Sequence, residues 1–432
     1  MELLNAVRTA VFGTPTVIFI IAVGIYLSAS NGFFQFFRFP LVIKSTFLSK
    51  EKDKESGGTI SAPASFFSSL AATIGTGSIT GVAAAITLGG AGAVFWMWVA
   101  GIVGMMLSYA EGVLSVRFRK KERGGYDGSA MHYIEKALKS KRAGVLYAVL
   151  LVGASLGMGN IAQGSAMALA CEDTFGISKT ACGIIAGSLV LIVSMGGIKS
   201  LASLSLRLVP IMSALYIGGC LVCLWVSRAN LLPALSSIVS GAVSPRAVSG
   251  GLLGCMMTGF RRGIFSTEAG LGTTGCVHAK SAVQSPARQG MWCMLEVFTD
   301  TFVIGTLTAL AVLSTGADTV WQSFSESMGK GGETVCSLAT ILFAFASICG
   351  FSAIGKSAFC YISKGRHSGT VFSLLFCYAV YFGCVIRLDT ALLVSDILNG
   401  LMALPNLTAL IILAPVIKEE TRRFIAHRER DG

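Results

Sequence analysis

The stretch Ala72-Thr73-Ile74-Gly75-Thr76-Gly77-Ser78-Ile79-Thr80-Gly81 sits inside an apolar run from about Phe66 to Leu88. Gly75, Gly77 and Gly81 each weaken a helix by up to about 1 kcal/mol relative to alanine, and Thr76, Ser78 and Thr80 put hydroxyls beside any backbone that is freed. Inside hydrocarbon, unpaired backbone groups survive only against protein or a polar cavity. The run therefore reads as a break in a spanning helix, with a ligand or ion completing it; close packing of helices through small residues is the competing reading.

The surrounding chain has the composition of a polytopic membrane protein. Of its 432 residues, 53% are hydrophobic and 13% charged, and its mean hydropathy is +0.72. That is more apolar than a soluble core of this length requires. The net charge of +12 raises the question of nucleic acid, but the basic residues gather in connections between apolar runs, so no nucleic-acid partner is expected. The first apolar run lacks the small-residue cleavage site of a signal peptide and reads as a retained helix. The 12 cysteines are scattered, and Cys220 and Cys223 share one helical face without a second pair; they read as small buried hydrophobes. The four histidines, His132, His278, His367 and His427, are expected in loops or the tail.

Apolar runs fall near 14–35, 65–87, 92–116, 145–170, 181–197, 206–227, 248–275, 291–314, 334–356, 368–386 and 391–416, giving 11 candidate spans. With alternate connections assigned to opposite sides, 26 of the 34 Lys and Arg fall on one side and 6 on the other, while Arg261 and Arg262 lie within a span. The positive side is cytoplasmic, so the expected topology has the N-terminus outside and the C-terminus in the cytoplasm of a bacterial plasma membrane. Setting the first span aside leaves ten, which divide into two fives of opposite orientation. Residues 1–36 are then an extra N-terminal helix and 37–64 a cytoplasmic linker. The first repeat is 65–227, an extracellular loop 228–247 follows, the second repeat is 248–416, and 417–432 is a basic cytoplasmic tail. The second repeat also opens on a glycine-interrupted span, with Ser249-Gly250-Gly251 and then Thr258-Gly259 through Gly270. Two such breaks entering from opposite faces would meet near the bilayer centre.

Seven stretches then resemble one family, the alanine or glycine:cation symporters. They are Ala72 to Ala85 (ATIGTGSITGVAAA), Phe95 to Val99 (FWMWV), Gly157 to Gly164 (GMGNIAQG), Gly196 to Ala202 (GGIKSLA), Leu208 to Tyr216 (LVPIMSALY), Gly259 to Gly272 (GFRRGIFSTEAGLG) and Asn399 to Leu407 (NGLMALPNL). The resemblance implies an all-α fold of the leucine-transporter type, with a 5+5 inverted repeat and one extra N-terminal helix. It also implies sodium symport of a small neutral amino acid, alanine or glycine, by a monomer working through alternating access, with Na+ as coupling ion and no other cofactor. The implied substrate site comprises Thr76, Gly77, Ser78, Gln163, Thr258, Gly259 and Phe351, and the implied sodium site Ala72, Gly75 and Ser347. Four departures stand out. The family usually has asparagine at Ser78, Ser-Thr at Ala346-Ser347, tryptophan at Phe351, and Tyr-Tyr-Gly-Glu at Ala353 to Lys356.

The chemistry of these residue types suits a zwitterion. Free N–H groups at Gly75 to Gly77, behind which a half-helix begins, suit a carboxylate; carbonyls on the preceding half-helix suit an ammonium or a cation. Gln163 can serve either group or bond across to another helix, and Ser347 can ligate sodium or bond back to its own helix. Charges within a membrane cost roughly 2.5 to 3.5 kcal/mol each on insertion scales, so they are expected in pairs. Arg261, Arg262 and Glu268 are expected to form a gating ion-pair network with Glu296 and Asp300, which lie four apart; the alternative is that Asp300 or Glu296 carries a proton. Glu111 is expected near the cytoplasmic interface, and the basic loop from Arg117 to Arg142 against anionic headgroups. No span carries a nucleophile, base and acid together or a metal-ligand cluster, which argues against an enzyme, and no filter motif suggests a channel.

Overall fold

The computed structural model describes residues 11, 13–48, 58–122, 125–243, 251–386 and 388–431. The chain is almost entirely helical. After α1 (Thr14–Ser30) and two short turns of helix, α2 (Ala62–Thr73) begins at Ser61, whose hydroxyl accepts from the Ala64 N–H with Pro63 in the first turn. This cap satisfies a donor that the helix start leaves open. Next come α3 (Thr80–Gly89) and α4 (Gly92–Arg117), a hairpin of β1 (Lys120–Glu122) and β2 (Gly125–Asp127), and α5 (Ala130–Ala137). Then α6 (Lys141–Leu156) runs through a wide π-helical turn, Gly157–Ala162, into α7 (Gln163–Phe175), and α8 (Lys179–Met195), α9 (Gly197–Val226) and α10 (Leu231–Ala242) complete the first half.

The second half opens with α11 (Gly251–Thr267) and α12 (Gly275–His278). It continues with α13 (Pro286–Phe298), joined by a second π-helical turn, Thr299–Gly305, to α14 (Thr306–Thr315). After α15 (Val320–Met328) come α16 (Lys330–Ile362), α17 (Ser368–Val385), α18 (Leu388–Ile412) and α19 (Ala414–Asp431).

Among the described residues, six helices are individually long and apolar enough to cross a membrane: Gly92–Arg117, Lys141–Phe175, Gly197–Val226, Pro286–Thr315, Lys330–Ile362 and Ser368–Val385. A seventh is reached if Asp396–Ile412 and Ala414–Arg428, bent by 59°, count as one. The other expected spans fall short for visible reasons. Span 2 is divided at 74–79, span 7 at 268–274, and Thr14–Ser30 and Lys179–Met195 are shorter apolar helices.

The segments expected as connections are less loop-like than their charge suggested. Helix α10 occupies the region read as an extracellular loop and packs on the start of α4, where a Cβ on Gly92 would lie 2.2 Å from the Gly241 carbonyl carbon. The basic tail continues as α19, and 37–64 contains the helix Phe39–Thr46. His132 and His278, expected in loops, are buried within α5 and α12. Of the motif expected to open a second repeat, Ser249 and Gly250 lie outside the described residues.

Candidate functional site

The break in span 2 is real and local. Helix α2 stops at Thr73, Ile74 leaves the helical region at ψ 86°, and Gly75 is extended before a single tight turn, Thr76–Ser78, leads into α3. Gln163, the first residue after the π-helical turn of span 4, reaches into this gap. Its Oε1 accepts from both the Thr76 N–H and the Thr76 hydroxyl, each at 3.0 Å. A Cβ on Gly75 would lie 2.9 Å from the Gln163 amide, so a glycine there lets the amide close over the unwound backbone. Gln163 thus does bond across to another helix, and does so at the break itself. A short way along, Gly81 is buried, yet a Cβ added to it would meet no atom within 4 Å. Open volume therefore adjoins the break on α3.

Ala72 and Ser347 also meet. The Ser347 hydroxyl on α16 donates to the Ala72 carbonyl at 2.7 Å, and a Cβ on Gly350, one turn further, would lie 2.6 Å from the Ala72 Cβ. The last carbonyls of α2 are thus held against α16, with two oxygens adjacent.

Ser78 stands at a second cluster. Its hydroxyl donates to Asp300, the Ser266 hydroxyl donates to the other Asp300 oxygen at 2.6 Å, and the two serine hydroxyls lie 3.2 Å apart. The Thr308 hydroxyl lies 3.0 Å from the Ser78 carbonyl and 2.8 Å from that of Ile304. Spans 2, 7 and 8 therefore converge on one buried carboxylate whose described donors are hydroxyls. Oxygen-rich and carrying one negative charge, it has the donor set of a hard monovalent cation or a proton. Among the described residues, no group of three or more His, Cys, Asp or Glu is arranged to hold a metal ion.

The span 7 break differs in position from the expectation. Thr258 and Gly259 lie within continuous α11, about ten residues before the unwound segment. A Cβ on Gly259 would be 2.3 Å from the Ala93 carbonyl oxygen, and Thr258 lies against Gly89. This glycine serves close helix packing, which periodicity alone does not separate from a break. The chain unwinds instead at Glu268, with φ of 53°, and at Gly270 and Gly272, with φ of 88° and 86°.

Side chains engage several of the freed backbone groups of span 7. Glu111 accepts from the Gly272 N–H at 3.0 Å and from the Asn406 amide at 2.8 Å. Asn406 also donates to the Gly270 carbonyl at 2.9 Å, and the Tyr147 hydroxyl donates to that of Leu271 at 2.7 Å. Glu111 is therefore buried on α4, and its partners are an amide and a backbone N–H.

Glu296 and Asp300, expected in a network with Arg261 and Arg262, meet other partners. Glu296 pairs with His278 at 2.6 Å, His278 also meets Gln289, and Gln289 donates to Ser65 at 3.1 Å. Asp300 is held by the serines described above. The four-residue spacing of Glu296 and Asp300 gave them one face, but the π-helical turn from Thr299 re-aims the second. Phe351 is buried against the span 4 turn, where its ring occupies the space a side chain at Gly159 would need. Gly77 lies beside Phe265 and Ser266.

Sequence reasoning missed Ser266, His278, Gln289 and Asn406. Ser266 had a signal, since Ser266-Thr267-Glu268 immediately precedes the glycines that do unwind. Asn406 lies within the Asn399 to Leu407 stretch, which marked the segment but not its partners Glu111 and Gly270, 295 and 136 residues away.

A family model for the sodium:alanine symporter family matches residues 1–432. This chain belongs to that family. It is 34% identical over 450 residues to the sodium/alanine symporter AgcS of Methanococcus maripaludis, covering 100% of this chain and 99% of that protein. It is also 34% identical to an uncharacterized transporter of Haemophilus influenzae, covering 100% and 98%. A probable sodium/glutamine symporter, GlnT of Bacillus subtilis, is 31% identical, covering 96% and 89%. In fold, the chain is similar to a solved Na+-coupled sialic acid symporter, with a TM-score of 0.57 at 13% identity, covering 95% of this chain and 98% of that one.

Proposed function

We propose that this protein is a secondary transporter that carries a small neutral amino acid, alanine or glycine, together with sodium through alternating access of two inverted five-helix units. The observation that supports this best is the unwound Gly75–Ser78 segment, capped by Gln163 and adjoined by open volume at Gly81. Thr76 and Gln163 would exchange their mutual bonds for bonds to the substrate, and the N–H groups heading α3 would face its carboxylate. The membership of the sodium:alanine symporter family, and relatives named for alanine and glutamine symport, support the substrate class.

Two oxygen sets would serve the cation. One is the Ala72 carbonyl with Ser347, joined by Gly75; the other is Ser78, Ser266 and Asp300. The second set also favours another reading, in which Asp300 takes a proton and the coupling is to protons.

Counterflow in proteoliposomes with a panel of L- and D-amino acids, with and without sodium at constant pH, tests these readings together. Exchange of labelled alanine or glycine that requires sodium is the expected result. Exchange that persists without sodium but follows a pH gradient transfers the coupling to a proton, and no exchange of any amino acid removes the transport reading.

A further inference from the structure

At one end of the helix pair α7–α8, away from the break, three thiols converge. Helix α7 stops at Gly176, which is left-handed at φ 67°, and the Ile177 N–H returns to the Cys171 carbonyl at 3.2 Å. Ser178 then caps α8 by accepting from the Ala181 N–H at 3.3 Å. This fixed reversal sets the last turn of α7 against the first turn of α8, and the Sγ atoms of Cys171 and Cys182 lie 3.6 Å apart. Cys384, at the end of α17, is a neighbour of Cys182, and a Cβ on Gly183 would lie 3.2 Å from the Cys384 Cβ. Two thiols so placed on a rigid turn need only a small approach to reach bonding distance, about 2 Å between sulfurs.

The charges around this turn say where it faces. Glu172, Asp173 and Lys179 are its ionisable residues, with an exposed Glu172–Lys179 pair at 3.1 Å, in contrast to the basic segment Arg117 to Arg142 that leads into α6 and to Lys199 and Arg207 after α8. Under the positive-inside rule this is the outer face, where thiols are not kept reduced.

We propose that Cys171 and Cys182 are a modification site, oxidised to a disulfide by an organic or protein disulfide on the outer side. The thiolate of Cys171, buried like Cys182, attacks a sulfur of the oxidant when the turn opens and displaces one thiol, forming a mixed disulfide. The thiolate of Cys182 then attacks the Cys171 sulfur and displaces the second thiol. Two protons and two electrons pass to the oxidant, which leaves as two thiols. The new bond closes the α7–α8 turn covalently, beside the end of α17.

The test uses the full-length protein in detergent, incubated with oxidised glutathione, alkylated with N-ethylmaleimide and digested without reduction. Mass spectrometry should show loss of the alkylated Cys171 and Cys182 peptides and gain of one linked peptide that dithiothreitol resolves. Cys384→Ser should leave the linked peptide intact, and Cys171→Ser should abolish it. Recovery of both cysteines as alkylated thiols, or a link from Cys182 to Cys384 instead, overturns the assignment. In intact cells trapped with N-ethylmaleimide before lysis, the linked peptide should be present while Cys293, buried on α13, remains a free thiol. Its absence from cells when it forms in detergent overturns the physiological claim.

Discussion

At the scale of single residues, Gly75 and Gln163 form one device, because the glycine is what lets the amide close on Thr76. Gly75→Ala would press a methyl group against that amide at 2.9 Å and should weaken substrate binding at least tenfold in an equilibrium binding assay, with folding preserved. Thr76→Val removes the hydroxyl that would pass from Gln163 to the substrate; at about 0.5–1.5 kcal/mol for such a bond, a loss of roughly two- to thirteenfold in affinity is expected. Unchanged affinity in both variants would place the substrate elsewhere. Asp300→Asn keeps an acceptor for one of Ser78 and Ser266, puts an amide donor against the other and deletes the charge, so the sodium concentration for half-maximal uptake should rise at least tenfold. If uptake instead becomes insensitive to a pH gradient while its sodium response is unaltered, Asp300 carries the proton. The Ser78 hydroxyl anchors the tight turn to Asp300 on span 8.

At the scale of elements, the basic segment after α4 folds into a hairpin and helix that lock onto two neighbours, the segment after α12 and the end of α16. Arg119 donates to the Ser281 carbonyl at 2.8 Å and lies 4.3 Å over the Tyr126 ring, and Tyr361 at the end of α16 donates to Glu135 at 2.8 Å. Asp127 accepts from the Ser129 hydroxyl at 2.7 Å and from Ser357 at 2.9 Å, with His132 at 3.6 Å. Burial pushes the Asp127 carboxyl up, but His132, the Lys280 charge and Ser129 outweigh it and hold the group well below the usual carboxylate range. Its contribution to stability is therefore fully present above the ordinary aspartate value near pH 4 and is lost as pH falls through the depressed one. Thermal unfolding of the wild type and Asp127→Asn in detergent should differ by a constant shift from neutral pH down to about pH 4, and the difference should shrink below that. A difference that fades already between pH 7 and 5 would assign the effect to another group. This hairpin was not legible as structure, since its glycines and charges match any solvated loop; its partners lie up to 230 residues away.

For the whole molecule, the legible part was what local composition carries. Glycines in the Ala72–Gly81 run marked the first break because three of them, interleaved with hydroxyl residues, weaken one apolar span within seven positions. The second was displaced, because Gly259 is also a glycine in an apolar span but serves packing against Ala93, and because a glutamate at φ of 53° leaves no trace in a sequence. Likewise the arginine and carboxylate counts of spans 7 and 8 invited a network, whereas the fold pairs Glu296 with a histidine delivered by α12. Topology remains a prediction from the charge asymmetry. A green fluorescent protein fused after residue 432 should fluoresce, and alkaline phosphatase at the same point should be inactive; the reverse pair of results would invert the molecule.

The two breaks differ in what satisfies them, and that difference has a kinetic signature. The Gly272 amide is bonded to Glu111 within the folded protein, so its deuterium uptake should be slow and indifferent to solute. Around Gly75 to Ser78 the backbone leans on Gln163, which must let go for a guest to enter, so uptake there should be fast in the empty protein and slow once it is loaded. One hinge is set when the chain folds, and the other is left for each passenger to complete.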